Sequence, residues 1–290
     1  MKTKRILITT LLLIATVLFS SCSQSNDEVS DAFFSNSSNI YINSSSPNTL
    51  SFNIALFSDK KIDQVDYVGL EGENIDSNDY NVNIIDNNAD ALNNYEYEGL
   101  YIKYLMIEII QKNGVNHCAF QKLILNVDGT RQTLSFDTPV NHEFSDGNVF
   151  TKALQISVVP NEFPSEFIND NQQSASYEFE ATEDLTLQKI RFNDFLSSSN
   201  VVYSIDDGIS QNTNFPISLK KGQKIKITFS FMSELANNLS YLTSNIYFDY
   251  ITDNDNVEHF NSAVIVFDPI YPLNDNDMSN VNKLIESIKK

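Results

Sequence analysis

No tryptophan occurs in the 290 residues, and the chain holds only two cysteines, seven prolines and eight glycines. Two cysteines allow at most one disulfide, so covalent staples cannot replace a core. Eight glycines leave little material for phosphate-cradling loops. Basic residues are scarce as well: Lys and Arg number 19 against 38 Asp and Glu, a formal net charge of −19. That excludes a phosphate-backbone binder, which needs a basic footprint, and no nucleic-acid partner is expected. Past the first nineteen residues no apolar run approaches the ~20 residues of a membrane span. What is present suffices for folding. With 41% hydrophobic and 11% aromatic residues the chain can build a core, and its length accommodates two ordinary domains.

Residues 1–21 read as a secretory signal. Lys2, Lys4 and Arg5 form a basic start, and Ile6 to Phe19 form an apolar stretch broken only by threonines. Ser20, Ser21 and Cys22 follow. Small residues directly before a cysteine resemble the lipobox of bacterial lipoproteins. The resemblance implies cleavage before Cys22, a diacylglycerol on its thiol and an acylated amino group. Two or three acyl chains hold a protein stably, at about 0.8 kcal/mol per buried CH₂. The acidic body would be repelled by anionic lipid and stand off from it. The expected address is therefore a bacterial cell envelope, with the body outside the cytoplasm and the membrane as partner through lipid. With Cys22 lipidated, Cys118 has no disulfide partner and reads as a buried, inert thiol.

Residues 22–46 are rich in Ser, Asn and Asp and read as a flexible tether. From Leu50 the hydrophobic period is two: Leu50, Phe52, Ile54 and Leu56 alternate with small or polar residues. Gln64–Leu70 and Tyr80–Ile85 follow as strands. Leu100–Gln111 is apolar on both faces, but Asn113-Gly114 and Asp128-Gly129 supply the positive φ of hairpin turns. A three-strand meander over 100–112, 115–127 and 130–136 results. Thr138–Asn148 holds Pro139 and Gly147 and marks a boundary between domains 47–145 and 146–270. The second domain reads as strands near 153–159, 175–181, 185–192, 201–205, 217–219, 225–231, 245–251 and 257–267. Short strands, polar turns and no crossover helices predict an all-β fold, two antiparallel β-sandwiches in tandem. In strand count this is similar to bacterial immunoglobulin-like modules, without their Cys…Trp…Cys mark. Residues 271–290 form a tail whose helix carries Val281, Leu284, Ile285 and Ile288 on one stripe. It would pack on the second domain or serve a membrane or partner.

No HExxH, GxSxG, Walker loop or CxxC pair is present, so no catalytic residue, metal ligand or cofactor is assigned. His117, His142 and His259 are dispersed. His117 and Cys118 point to opposite faces of a strand, and His142-Glu143 reads as a solvated linker pair. Asp253, Asp255 and Glu258, with Asp275 and Asp277, offer oxygens for Ca²⁺ but complete no EF-hand. A solvated turn is the simpler account. Tyr95, Tyr97, Tyr101 and Tyr104 suit either sheet packing or stacking on a sugar.

Two function classes follow. The favoured one is a non-catalytic envelope lipoprotein whose sandwiches bind a protein or glycan ligand or carry architecture. The other is a carboxylate-dependent glycosidase or glycan-binding protein, since paired acids need no local motif. Cys22 is the one assigned site residue. Substituting Cys22→Ser is expected to abolish incorporation of a lipid probe and to move the protein to the soluble fraction. Labelling that persists in the variant would refute the lipobox.

Overall fold

The structure, a computed structural model, describes residues 33–73, 75–86, 95–112, 114–145, 153–158, 172–192, 200–205, 214–232, 240–252, 257–261, 265–267 and 278–288. The first strands are β1 (Phe33–Ser35), β2 (Ile40–Ser46), β3 (Thr49–Ser58), β4 (Val65–Glu71), β5 (Tyr80–Asp86) and β6 (Glu96–Tyr97). Next come β7 (Leu100–Gln111), β8 (His117–Val127), β9 (Thr130–Phe144), β10 (Leu154–Val158), β11 (Gln172–Ala181) and β12 (Leu185–Arg191). The last are β13 (Asn200–Ile205), β14 (Ile217–Leu219), β15 (Lys224–Met232), β16 (Tyr241–Ser244), β17 (Tyr247–Ile251), β18 (Val257–Asn261) and β19 (Ile265–Phe267). Among the described residues one α-helix, α1 (Ser279–Ile288), ends the set. The fold is all-β, built of sandwiched sheets with a short C-terminal helix, as the alternation predicts.

The strands make four sheets. An outer sheet runs β1-β3-β7-β5, with β6 also on β7, and a shared sheet runs β19-β16-β2-β9-β8-β4. These two enclose the first core, in which Phe52, Phe120 and Phe136 pack as a three-ring cluster with centroids 5.5–6.4 Å apart. Two four-stranded sheets, β10-β11-β15-β13 and β14-β12-β17-β18, enclose the second core around Phe179 and Phe248.

Several expectations need correction. The tether ends earlier than expected, because Phe33–Ser46 contains β1 and β2. Four of the Ser and Asn residues of this segment, Asn36, Ser37, Ser44 and Ser45, are buried. The meander is also broken. The β8–β9 hairpin turns at Asp128-Gly129 with φ of 48° and 84°, but β7 already has β3 and β5 on its two edges. The chain after Gly114 must therefore enter the other sheet. Pro139 does not end a strand, since β9 continues to Phe144. Finally, 257–267 divides into β18 and β19, which lie in different sheets.

The two cores are separate but the chain is interleaved. Among the described strands it passes between the sandwiches from β9 to β10, β15 to β16, β16 to β17 and β18 to β19. A single boundary at residues 145/146 therefore does not divide the sheets, because β16 and β19 belong with the first. Helix α1 likewise packs on the first sandwich, not the second. Val281, Leu284 and Ile285 cover Ala55, Phe57, Leu100, Ile102 and Tyr104.

Interleaving couples the two cores in unfolding. Phe120→Ala and Phe248→Ala each remove a fully buried ring and are expected to cost about 3–5 kcal/mol. Calorimetry should show one transition displaced by either substitution. Two transitions, each sensitive to one substitution alone, would show that the sandwiches melt independently.

Candidate functional site

Cys22 and the acidic positions Asp253, Asp255, Asp275 and Asp277 lie outside the described residues, as do the side chains of Glu258 and His259. Among the described residues no group of three or more His, Cys, Asp or Glu is placed to hold a metal ion. Cys118 is buried, as expected, with its thiol pushed up to about 12, first by desolvation. The tyrosine group is absorbed by packing. Tyr104 lies under α1, Tyr95 donates to Asn282 Oδ1 at 2.7 Å, and Tyr97 donates to Glu286 Oε1 at 2.9 Å. Tyr101 remains partly exposed beside Glu96, whose charge raises its pKa.

His142 overturns its expected place. It is buried, and its ring meets Ser44 Oγ through Nδ1 at 2.9 Å and Ser46 Oγ through Nε2 at 3.1 Å. The proton arrangement follows from the next bond along. Ser46 Oγ donates to the Thr49 carbonyl, so it accepts from Nε2–H, and Nδ1 accepts from Ser44. The neutral imidazole is thus fully satisfied, and Phe144 packs edge-on against it at 4.8 Å. Desolvation, and secondarily the charge of His117, pull the His142 pKa down to about 4.

These bonds tie β9 to β2, and β2 in turn ties the two sandwiches together. Ile40 and Ile42 face the first core, while Tyr41 between them packs against the second. On β16 the neighbours Tyr241 and Leu242 divide in the same way. Where β16 turns away towards β17, the Asn245 amide continues the ladder. Ser45 N–H donates to its Oδ1 at 2.6 Å, and its Nδ2 donates to the Ser45 carbonyl at 3.0 Å.

The face of the shared sheet turned towards the second sandwich carries the row His117, Asn141, Glu143, Asn43 and Tyr41. Asn141 and Glu143 stand beside Asn43 and Ser45 in register, and His117 Nε2 bonds Asn141 Oδ1. From the second sandwich, Arg191 and Tyr247 pair across β12 and β17. Arg191 grips Asp249 through Nε at 3.2 Å and a terminal nitrogen at 2.9 Å. Its guanidinium lies 5.6 Å from the Tyr247 ring centre. Burial raises the Tyr247 pKa, Glu143 raises it further and Arg191 opposes the rise. These groups therefore share one electrostatic environment at the corner between sandwiches. Half-buried rings, a guanidinium, carboxylates and amides there can stack on a ligand and hydrogen-bond it. Sequence reasoning missed this corner, because its members come from five strands and Arg191 and Tyr247 belong to no motif.

No family model matches the chain, and no curated protein matches it. Among solved structures it is similar to a protein of unknown function from Porphyromonas gingivalis W83, at 10% identity and a TM-score of 0.22 over 79% of this chain and 97% of that one. It is also similar to the CupB6 tip adhesin of Pseudomonas aeruginosa, at 10% identity and 0.19 over 74% and 89%. The collagen adhesin of S. aureus matches at 7% identity and 0.18 over 81% and 93%. Scores this low carry no argument, and the fold assignment rests on the sheets themselves.

The buried imidazole generates a pH prediction. Its pKa is about 4 in the folded chain against about 6.5 unfolded. The unfolded state takes the proton first, so stability is lost as pH falls from 6.5 towards 4 and this contribution is constant outside that window. The depression corresponds to on the order of 3 kcal/mol. Denaturant melts of the native chain and of His142→Gln between pH 7 and 4 measure it. The variant is expected to lose markedly less stability across that range, and equal slopes would assign the acid sensitivity to other groups.

Proposed function

We propose that the protein is a non-catalytic binding module, lipid-anchored through Cys22 to a bacterial envelope membrane, which receives its ligand at the corner between the two sandwiches. One observation supports the choice of surface: Tyr41, Tyr247, Arg191, Asp249 and Glu143 are gathered there by strands rooted in two different cores. Side chains positioned this way are held ready for a ligand, which limits the ordering cost of binding. The corner mixes charge of both signs with aromatic edges, which suits a glycan or a polar segment of a protein better than an apolar ligand. A tether before Phe33 would let the corner stand clear of the lipid surface. The acidic character of the chain, with a net charge of −19, keeps the body off anionic headgroups and discourages non-specific association.

A glycan array and a panel of envelope and host surface proteins, probed with the soluble Cys22→Ser chain, test the reading. A ligand found in this way is expected to bind at least about tenfold more weakly to Tyr247→Ala and to Arg191→Ala. Lys226→Ala, an exposed change on β15, should leave affinity unaltered. Melting curves of each variant show that the fold is kept. A ligand indifferent to both corner substitutions would place binding elsewhere, and consumption of an arrayed glycan would make the protein an enzyme.

A further inference from the structure

The segment Phe33–Ser46 combines three features. β2 is joined by a hairpin to neither of its sheet neighbours. It runs parallel to both β9 and β16, and its side-chain and backbone partners His142 and Asn245 lie 98 and 200 residues further on. Its seat is therefore complete only after nearly the whole chain has been made, and closure across that separation is entropically slow.

The second feature is the hinge. Only Pro47 and Asn48 separate β2 in the shared sheet from β3 in the outer sheet. Asn48 is held at φ 63°, and Thr49 N–H reaches back to the Pro47 carbonyl at 2.7 Å. Asn enters the left-handed region at less cost than other non-glycine residues but at more than glycine, and short hinges favour exchange of the element they carry.

The third feature is the seam. Asn36 Nδ2 and Ser45 Oγ on the segment are buried without hydrogen-bond partners, and so are Ser145 Oγ and Thr243 Oγ1 beside its seat. Unsatisfied buried groups each carry a cost, which makes the seam easier to open, equally in the closed monomer and in an exchanged dimer.

We propose that Phe33–Ser46 is an exchangeable segment and that its alternative host is a second copy of this chain, the two copies trading segments across Pro47–Asn48 to form a reciprocal dimer. The occupant follows from the seat. It wants isoleucines at alternate positions facing the first core and a tyrosine between them facing the second. It also wants hydroxyls two residues apart for His142 and a backbone amide for Asn245. Residues 40–46 of the same sequence supply all of these in order. A swap keeps the strand pairings of the closed monomer and lets the hinge extend, which frees Asn48 from its left-handed conformation at the cost of the Thr49–Pro47 and Ser46–Thr49 hydrogen bonds.

Full chains carrying Cys22→Ser, Asn43→Cys and Asn141→Cys test this, because Asn43 and Asn141 are register partners and a disulfide there reports which chain filled the seat. After refolding at high protein concentration and oxidation, a non-reducing gel is expected to show a covalent dimer that disappears when refolding is done dilute. Adding Asn48→Gly should weaken dimer formation by about two- to threefold. Crosslinks confined within single chains at every concentration would overturn the proposal, as would a covalent dimer unaffected by Asn48→Gly. Should the cysteine variants fold poorly, isotopically light and heavy copies of the otherwise native chain, refolded together, provide the same test by native mass spectrometry. Mixed dimers that persist for hours after dilution support exchange, and monomers alone refute it.

Discussion

The placement of one short strand governs the rest of the molecule. β2 lies between β9 and β16 in the shared sheet, and its alternating side chains serve two cores at once. Ile40 and Ile42 close the first core against the outer sheet, and Tyr41 closes part of the second. The shared sheet is thus a wall with a sandwich on either side, and the corner at its polar end exists because both sandwiches meet there. Removing β2 would separate β9 from β16 and leave the second sandwich held by connecting segments and by whatever else crosses the junction.

The same economy explains the long strands of the outer sheet. On β7 the even positions Leu100, Ile102 and Tyr104 are buried under α1, whereas the odd positions Leu105, Ile107 and Ile109 are buried against the shared sheet. On β3, Leu50, Phe52, Ile54 and Leu56 face the first core, and on the opposite face Ala55 and Phe57 are covered by the helix. Register places Ala55 beside Tyr104 and Ile54 beside Leu105, so the cover of the helix begins at the same level on both strands. A sequence apolar on both faces is therefore required, because each end of the strand is covered on a different side. The helix is a lid on one half of the sheet, secured at its rim by Tyr95 and Tyr97.

Most strands were legible because their period of two and their turn dipeptides are local signals. Ile225 and Ile227 alternate with Lys224 and Lys226, and Asp128-Gly129 turns as its chemistry demands. Signals carried across the chain were not legible. Ser44, Ser45 and Ser46 look like tether until His142 and Asn245 arrive from 98 and 200 residues away to bond them. His142 beside Glu143 looks solvated because adjacent residues share composition, yet alternation sends one to the core and the other to the surface. The destination of α1 was equally hidden. Its apolar stripe states that something is covered without stating what. Of the candidate site, the tyrosine group was visible as a cluster but belongs to packing, whereas Arg191 and Tyr247 became neighbours only through strand pairing.

A serine-rich strand at the centre of a sheet is costly in unsatisfied hydroxyls, and its polar contacts supply what an all-apolar strand would lack. Both neighbours of β2 are parallel and neither is joined to it by a turn, so no hairpin fixes its register. A slip of one residue would point Ser44 and Ser46 at the second sandwich, strand His142 unpaired beside Phe144, and carry Tyr41 into the first core. A slip of two would restore the faces and bring the Asn43 backbone to the Asn245 amide, but would place Ile42 where Ser44 now bonds the imidazole. Each of these wrong registers therefore leaves the buried imidazole short of a partner, a penalty of about 1–3 kcal/mol. Apolar burial alone would discriminate weakly between such registers, since only two isoleucines of the strand face the first core. The polar seam specifies the position that the apolar residues only make favourable.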